Sequence, residues 1–265
     1  MENILTISNL NLSFISNRNK EDSLYLFKDL SLVIPAEKIT ALVGGNGAGK
    51  TTIFNVISGL QRKDSGIISF KEKNIGGLSP YLIARLGIGR LFQGARIFEE
   101  LSILDNIKLG NSDPMNEQPF YNLAFSGKDR NTEKQLSDKA ETILDELFGK
   151  NNIFWEKRNS AAGDLSYGQQ RLLAMARLLM GNYSLYLLDE PTAGVHAQFV
   201  EQIAFAIHHM NSKSKKTVLI IEHNMQFVRK IAGNCMYMDS GSIIMNGTPD
   251  EVLDSDKVQQ SYLGV

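Results

Sequence analysis

Apolar residues in this chain follow two kinds of pattern, and the switches between them mark out its elements. Across residues 4–14 and 24–34 apolar and polar positions roughly alternate, and the two runs flank Ser16-Asn17-Arg18-Asn19-Lys20-Glu21-Asp22. A period of two belongs to half-buried strands, so these read as two strands joined by an exposed hairpin loop. Thr40-Ala41-Leu42-Val43 is a continuous apolar run ending in Gly44-Gly45, the way a buried parallel strand meets a turn. Ile53, Val56, Ile57 and Leu60 then recur at helical spacing, with Gly59 near the end of that helix.

From about 94 to 164 strand-like runs thin out, polar breaks multiply, and one amphipathic helix stands out at 132–148. This stretch reads as an inserted helical subdomain whose least ordered part is 110–130, where Asn, Ser, Asp, Pro and Gly mix with scattered aromatics. Strand and helix patterns resume after Leu165: a helix at 168–180, a buried strand at 185–188, a helix at 198–210, a strand at 217–221 and a helix at 225–232. Two short strand-like pieces around Gly241, then Asn246-Gly247-Thr248-Pro249 and a final helix, close the chain. Strands alternating with helices predict an α/β fold built on a mainly parallel sheet covered on both faces.

Composition narrows the class without changing that picture. With 265 residues, 43% hydrophobic and 22% charged, the chain is long enough and apolar enough to bury a sizeable core. Lys+Arg 28 against Asp+Glu 29 leaves a net charge of −1, which argues against nucleic acid as the main partner. Cys235 is the single cysteine, so no intrachain disulfide forms; it sits in Cys235-Met236-Tyr237-Met238 and reads as a small buried hydrophobe in a reducing compartment. The start, Met1-Glu2-Asn3-Ile4-Leu5-Thr6, lacks the basic and apolar regions of a signal peptide. Nowhere do roughly 18 apolar residues run without a charge, so any membrane role is expected to come through a partner.

Three segments carry chemistry. Gly44-Gly45-Asn46-Gly47-Ala48-Gly49-Lys50-Thr51 fits G-x-x-x-x-G-K-[ST] and lies between a predicted buried strand and a helix. Glycines there let successive N–H groups curl around phosphate oxygens, Lys50 reaches the β- and γ-phosphates, and the Thr51 hydroxyl ligates Mg²⁺. Leu185-Tyr186-Leu187-Leu188-Asp189-Glu190 is an apolar strand that delivers two carboxylates at its C-terminal end. Asp189 is expected to hold Mg²⁺, directly or through water, and Glu190 to polarise the attacking water as general base. Leu165-Ser166-Tyr167-Gly168-Gln169-Gln170 opens a helix with no evident role in its own chain's phosphate loop; in isolation an ordinary N-capped helix start is the better account of it.

Taken with the other two, that third segment resembles the LSGGQ signature of the ABC transporter ATPases, and the resemblance covers essentially the whole chain. It implies the P-loop NTPase ABC ATPase fold: a core plus antiparallel β subdomain over 1–93 and 165–265, with an inserted α-helical subdomain at 94–164. It implies ATP and Mg²⁺ as cofactors, with ATP held between Gly44 to Thr52 of one subunit and Ser166, Gly168 and Gln169 of the other. Gln93 matches the Q-loop that senses Mg²⁺ and attacking water, and His223 matches the switch histidine. Phe14, with Tyr25 as alternative, is the candidate for stacking on adenine. Arg90, Arg96 and Phe98 flank the Q-loop, either shaping a groove for a permease helix or lying on a solvated face. The implied partners are a second ATP-binding subunit, identical or paralogous, integral membrane permease subunits and an extracytoplasmic solute-binding protein, at the cytoplasmic face of the inner membrane.

Leu165–Arg171, Ile221-Glu222-His223-Asn224-Met225, Asn246-Gly247-Thr248-Pro249 and Tyr262-Leu263-Gly264 resemble importers of branched-chain or other hydrophobic amino acids. Urea importers and the lipopolysaccharide-export ATPase share parts of the pattern, and a soluble ABC ATPase without a transport role would share every ATP motif. Three positions depart from the family: Gly45 where proline is common, Tyr167 in place of the first signature glycine, and His196 at the D-loop position usually held by Asp or Asn. Tyr167 is tolerable if its side chain faces away from nucleotide.

Overall fold

The computed structural model describes residues 2–14, 24–94, 97–111, 130–213 and 215–263. Two compact units share the chain: Met1–Arg90 with Ser184–Glu190 and Met210–Val265 form the first, and Leu91–Tyr183 with Pro191–His209 form the second.

The first unit holds two sheets. β1 (Asn3–Phe14) pairs antiparallel with β2 (Leu24–Pro35) and with β4 (Ser65–Phe70), which pairs with β5 (Lys73–Asn74), giving the order β2-β1-β4-β5. The two long strands fall where alternation placed them; the hairpin loop Ser16–Asp22 lies outside the described residues. The second sheet runs β10-β9-β3-β8-β7-β6, from Ser242–Gly247, Asn234–Asp239, Ile39–Val43, Thr217–Ile221, Leu185–Asp189 and Ile88–Leu91 respectively. Here β9, β3, β8 and β7 are parallel, with Ala41 between Ile220 and Cys235, and β10 returns antiparallel along β9. Every residue of β3, β7 and β8 is buried, as continuous apolar runs in a doubly covered sheet require.

The helix after β3, α1 (Lys50–Ile57), buries Ile53, Phe54, Val56 and Ile57 in a core shared with Leu5, Ile7, Ile34, Leu187, Leu219 and Met238. Fully burying such side chains contributes about 1.5–3 kcal/mol each. Leu60 is not on that face: the helix ends at Ile57, Gly59 turns the chain at φ 73, and Leu60 is 51% exposed. Patterning also left residues 61–87 without elements, yet they form β4, β5 and α2 (Pro80–Leu86), the last capped by Ser79 with proline at its first turn. Among the described residues no helix is long and apolar enough to cross a membrane.

The second unit is helical. α3 (Ile103–Lys108), α4 (Arg130–Phe148) and α6 (Tyr167–Met180) pack on one another, and their Ile103, Ile107, Ala140, Leu144, Leu172, Met175 and Ala176 are buried. α5 (Ile153–Glu156) is a single turn capped by Asn152, and its Phe154 ring stacks on Phe148 at 4.4 Å. The unit also takes in the first part of α7 (Ala197–Ser212). Residues 112–129, most of the segment expected to be least ordered, lie outside the described residues. In the first unit, α8 (Met225–Ile231) follows β8, and the final helix divides into α9 (Pro249–Leu253) and α10 (Asp256–Leu263).

Candidate active site

The phosphate-binding motif occupies the turn between β3 and α1. Gly44 has φ 154, and a Cβ there would run into the carbonyl oxygen of Met238; Gly49 has φ 104, and a Cβ there would lie 2.6 Å from the Phe27 ring. Both positions therefore demand glycine. Gly45 has open space around it, so the usual proline is not excluded by crowding. Lys50 reaches back along the loop, its Nζ donating to Gly44 O and Gly45 O at 2.8 Å each. Burial pushes its pKa down, while Glu190 and Asp189 pull it back up. An ammonium drawn across a concave run of N–H groups is the donor set a nucleotide's phosphates require.

Asp189 ends β7 beside that loop. Its Oδ1 lies 3.5 Å from Thr51 Oγ1, and its Oδ2 pairs with Arg90 Nη2 at 3.1 Å. Arg90 is not part of a solvent-facing groove: it is nearly buried, donates from Nη1 to Asn55 Oδ1 on α1 and to Ser58 Oγ at the C-cap of α1, and stacks on Phe54. Burial pushes the carboxyl of Asp189 up and the guanidinium of Arg90 down, and each partner counters the other's shift. The 3.1 Å contact and the two further acceptors on Arg90 favour the charged pair. Thr51 Oγ1 and Asp189 Oδ1 lie 3.5 Å apart, a hydroxyl and a carboxylate oxygen that could serve Mg²⁺ alongside phosphate and water.

Glu190 lies one residue further, in the left-handed region at φ 47, with its N–H donating to Ile221 O at 3.0 Å. That strained turn, of a kind concentrated at functional sites, sends its carboxylate to within 3.1 Å of His223 Nε2. His223 is itself fixed from behind. The buried Glu222 accepts its N–H at 3.0 Å, and Asn224 caps α8 by accepting from Phe227 N. Lys50, Thr51, Asp189, Glu190 and His223 thus converge at the C-terminal ends of three adjacent parallel strands, where open α/β sheets place ligands.

The second unit contains Gln93 and the signature. Ser166 N-caps α6 in a capping box, its own N–H donating to Gln169 Oε1 at 2.8 Å, so the Gln169 side chain serves the cap. Gly168 is buried, and a Cβ there would run into the Phe199 ring. Gln93 is exposed, and its carbonyl accepts from the buried Arg171 on α6. The segment after it is clamped by Asn106, which accepts from Phe98 N and donates to Phe98 O, both at 2.9 Å, while Arg177 stacks on the Phe98 ring. Arg96 lies outside the described residues.

Residues 27–193 match the family described as ABC transporter. The chain belongs to the ABC transporter family. It is an ATP-binding and ATP-hydrolysing member of that family. It is 31% identical to BraF of Pseudomonas aeruginosa, the high-affinity branched-chain amino acid transport ATP-binding protein, over 98% of both chains. It is also 31% identical to LivG of Salmonella typhimurium, of the same description, over 89% of this chain and 91% of LivG. Among solved structures, the ADP conformation of MJ1267, an ATP-binding cassette of an ABC transporter, matches with TM-score 0.81 and 30% identity over the whole of both chains.

In this ABC ATPase Phe14 and Tyr25 sit on neighbouring rungs of the β1–β2 ribbon, opposite Leu24 and Ser13, and are 49% and 59% exposed. Both are free to stack on a base. Phe14→Ala should weaken ATP binding by about 1–3 kcal/mol, by analogy with base–aromatic stacking. Unchanged affinity in an equilibrium titration would move the role to Tyr25. Cys235 is buried, and burial pushes its thiol up to about 12, which fits an inert core residue.

Proposed function

We propose that this protein couples ATP hydrolysis to the import of branched-chain or other hydrophobic amino acids. The observation that carries the chemistry is the convergence of Lys50, Asp189, Glu190 and His223 at one end of the parallel sheet; the likeness to BraF and LivG supports the solute class. Residues Gly44 to Thr52 bind the phosphates, and Phe14 supports the base. Thr51 and Asp189 would hold Mg²⁺, which would supply neutralisation of phosphate charge. Glu190 takes a proton from the attacking water, and His223 keeps that carboxylate aimed. The reading places Ser166 and Gly168 against the ATP of a second ATP-binding subunit, with the α6 N-terminus directed at the γ-phosphate.

The remaining partners follow from the same reading: permease subunits that receive the segment following Gln93, and a solute-binding protein on the far side of the membrane. This chain then works at the cytoplasmic face. Deleting the gene should abolish energy-dependent uptake of labelled leucine, isoleucine and valine. Wild-type chain should restore it and Lys50→Ala should not. Uptake of these solutes that survives deletion would overturn the solute class, whereas restoration by Lys50→Ala would overturn the phosphate-loop chemistry.

A further inference from the structure

We propose that the first unit binds a phosphate-type dianion at a second site, between Lys71 and Lys216, at the end of the parallel sheet away from the phosphate loop.

A cavity of about 840 Å³ opens there, walled entirely by residues of the first unit. Lys71 directly follows β4, Ser184 directly precedes β7, and Lys216 directly precedes β8. β7 and β8 run parallel with Leu185 opposite Thr217, and Thr217 N donates to Ser184 O at 3.0 Å. Ser184 and Lys216 therefore enter adjacent strands side by side. Lys71 is held by its own N–H, which donates to Ile4 O at 2.9 Å, and its Nζ donates to Ser184 Oγ at 2.7 Å. Asp189 stands at the other end of β7, roughly 16 Å along the strand from Ser184 at 3.3 Å per residue, so the two sites are separate.

The positive charges here lack a counterpart. Burial and the neighbouring Lys71 ammonium push the pKa of Lys216 down, and no carboxylate counters them. Neither lysine makes an ion pair among the described residues. Ser184 Oγ accepts from Lys71 and so keeps its own proton to donate. Two ammonium groups and a hydroxyl lining one cavity are a donor set for an oxyanion of charge two, and such an anion relieves the repulsion between the lysines. Glu2, Glu37 and Glu72 line the same cavity and oppose any extended polyanion, whether nucleic acid or an acidic lipid surface. The ligand is therefore compact, either free phosphate or a small phosphomonoester whose organic group rests on Ile4 and Ala36.

The test is equilibrium titration of the full chain carrying Lys50→Ala, which weakens the phosphate loop as a competing site, with inorganic phosphate and with glycerol 3-phosphate. Each should bind saturably. Adding Lys71→Gln or Lys216→Gln should weaken that binding about tenfold or more, as the loss of a charged donor implies. Tighter binding of glycerol 3-phosphate would assign the site to a phosphomonoester and equal binding would assign it to free phosphate; either upholds the site. Thermal melting without ligand separates binding from a structural role. Lys216→Gln removes a like-charge contact, so it should melt no lower than its parent. A clear loss of stability in that variant would mark a structural lysine and overturn the proposal. So would binding that survives both substitutions, or the absence of saturable binding by either probe.

Discussion

Glu190→Gln should bind MgATP, lose roughly two to four orders of magnitude of turnover, and collect as an ATP-bound dimer. The amide is nearly isosteric with the carboxylate and keeps its place opposite His223, but it cannot accept a proton from water. The backbone that aims it is untouched, because the Glu190 N–H to Ile221 O bond and the left-handed turn do not depend on the side-chain charge. Lys50, Thr51 and Asp189 also stay as they are, so nucleotide remains held. On the proposed two-subunit arrangement, unhydrolysed ATP should then act as the adhesive between the phosphate loop of one subunit and Ser166 and Gly168 of the other. Adding Ser166→Arg places bulk and charge at the α6 N-terminus and should disperse the dimer. Phosphate release and size-exclusion chromatography, with and without ATP, check both halves. Near-normal hydrolysis by Glu190→Gln removes the general-base role.

Arg90→Leu should destabilise the protein by about 3–5 kcal/mol, since it strands Asp189 as an unpaired buried charge. Asn55 and Ser58 lose their donor at the same time. Adding Asp189→Asn should recover part of this loss, because breaking a buried pair costs more than removing both of its charges. Hydrolysis should not recover, since the carboxylate that supports the metal is then gone. Thermal melting of the two single variants and the double variant decides the matter. If Arg90→Leu melts as the wild type does, the pair is not what holds Asp189 in place.

The sequence pointed to the site unevenly. Asp189 and Glu190 were legible because the apolar run Leu185-Tyr186-Leu187-Leu188 delivers them, and a fully buried strand must end at a sheet edge where charge is tolerated. Ser166 was legible as a helix start from its immediate neighbours, and the structure adds its partner in the cap, Gln169. Arg90 was misread as a groove or surface residue, because its partner is Asp189, far along the chain, and no local pattern announces such a pair. No local pattern marks Arg171 either: its acceptors are backbone carbonyls at Phe92 and Gln93, which have no residue identity to read. The signals Ser79-Pro80 and Ser102-x-x-Asp105 were available for α2 and α3 and are visible in hindsight as caps.

What the sequence determined by itself is whatever depends on neighbours a few residues apart. The phosphate loop, the strands β3, β7 and β8, and the amphipathic helices α4 and α6 follow from backbone geometry and from the period at which side chains meet the core. Only the tertiary structure decided which strands became neighbours, how Glu190 came to lie against His223, and where the guanidinium groups of Arg90 and Arg171 found acceptors. Those contacts join residues that only the closed fold brings within hydrogen-bond range, and burial decides which polar groups must be satisfied there.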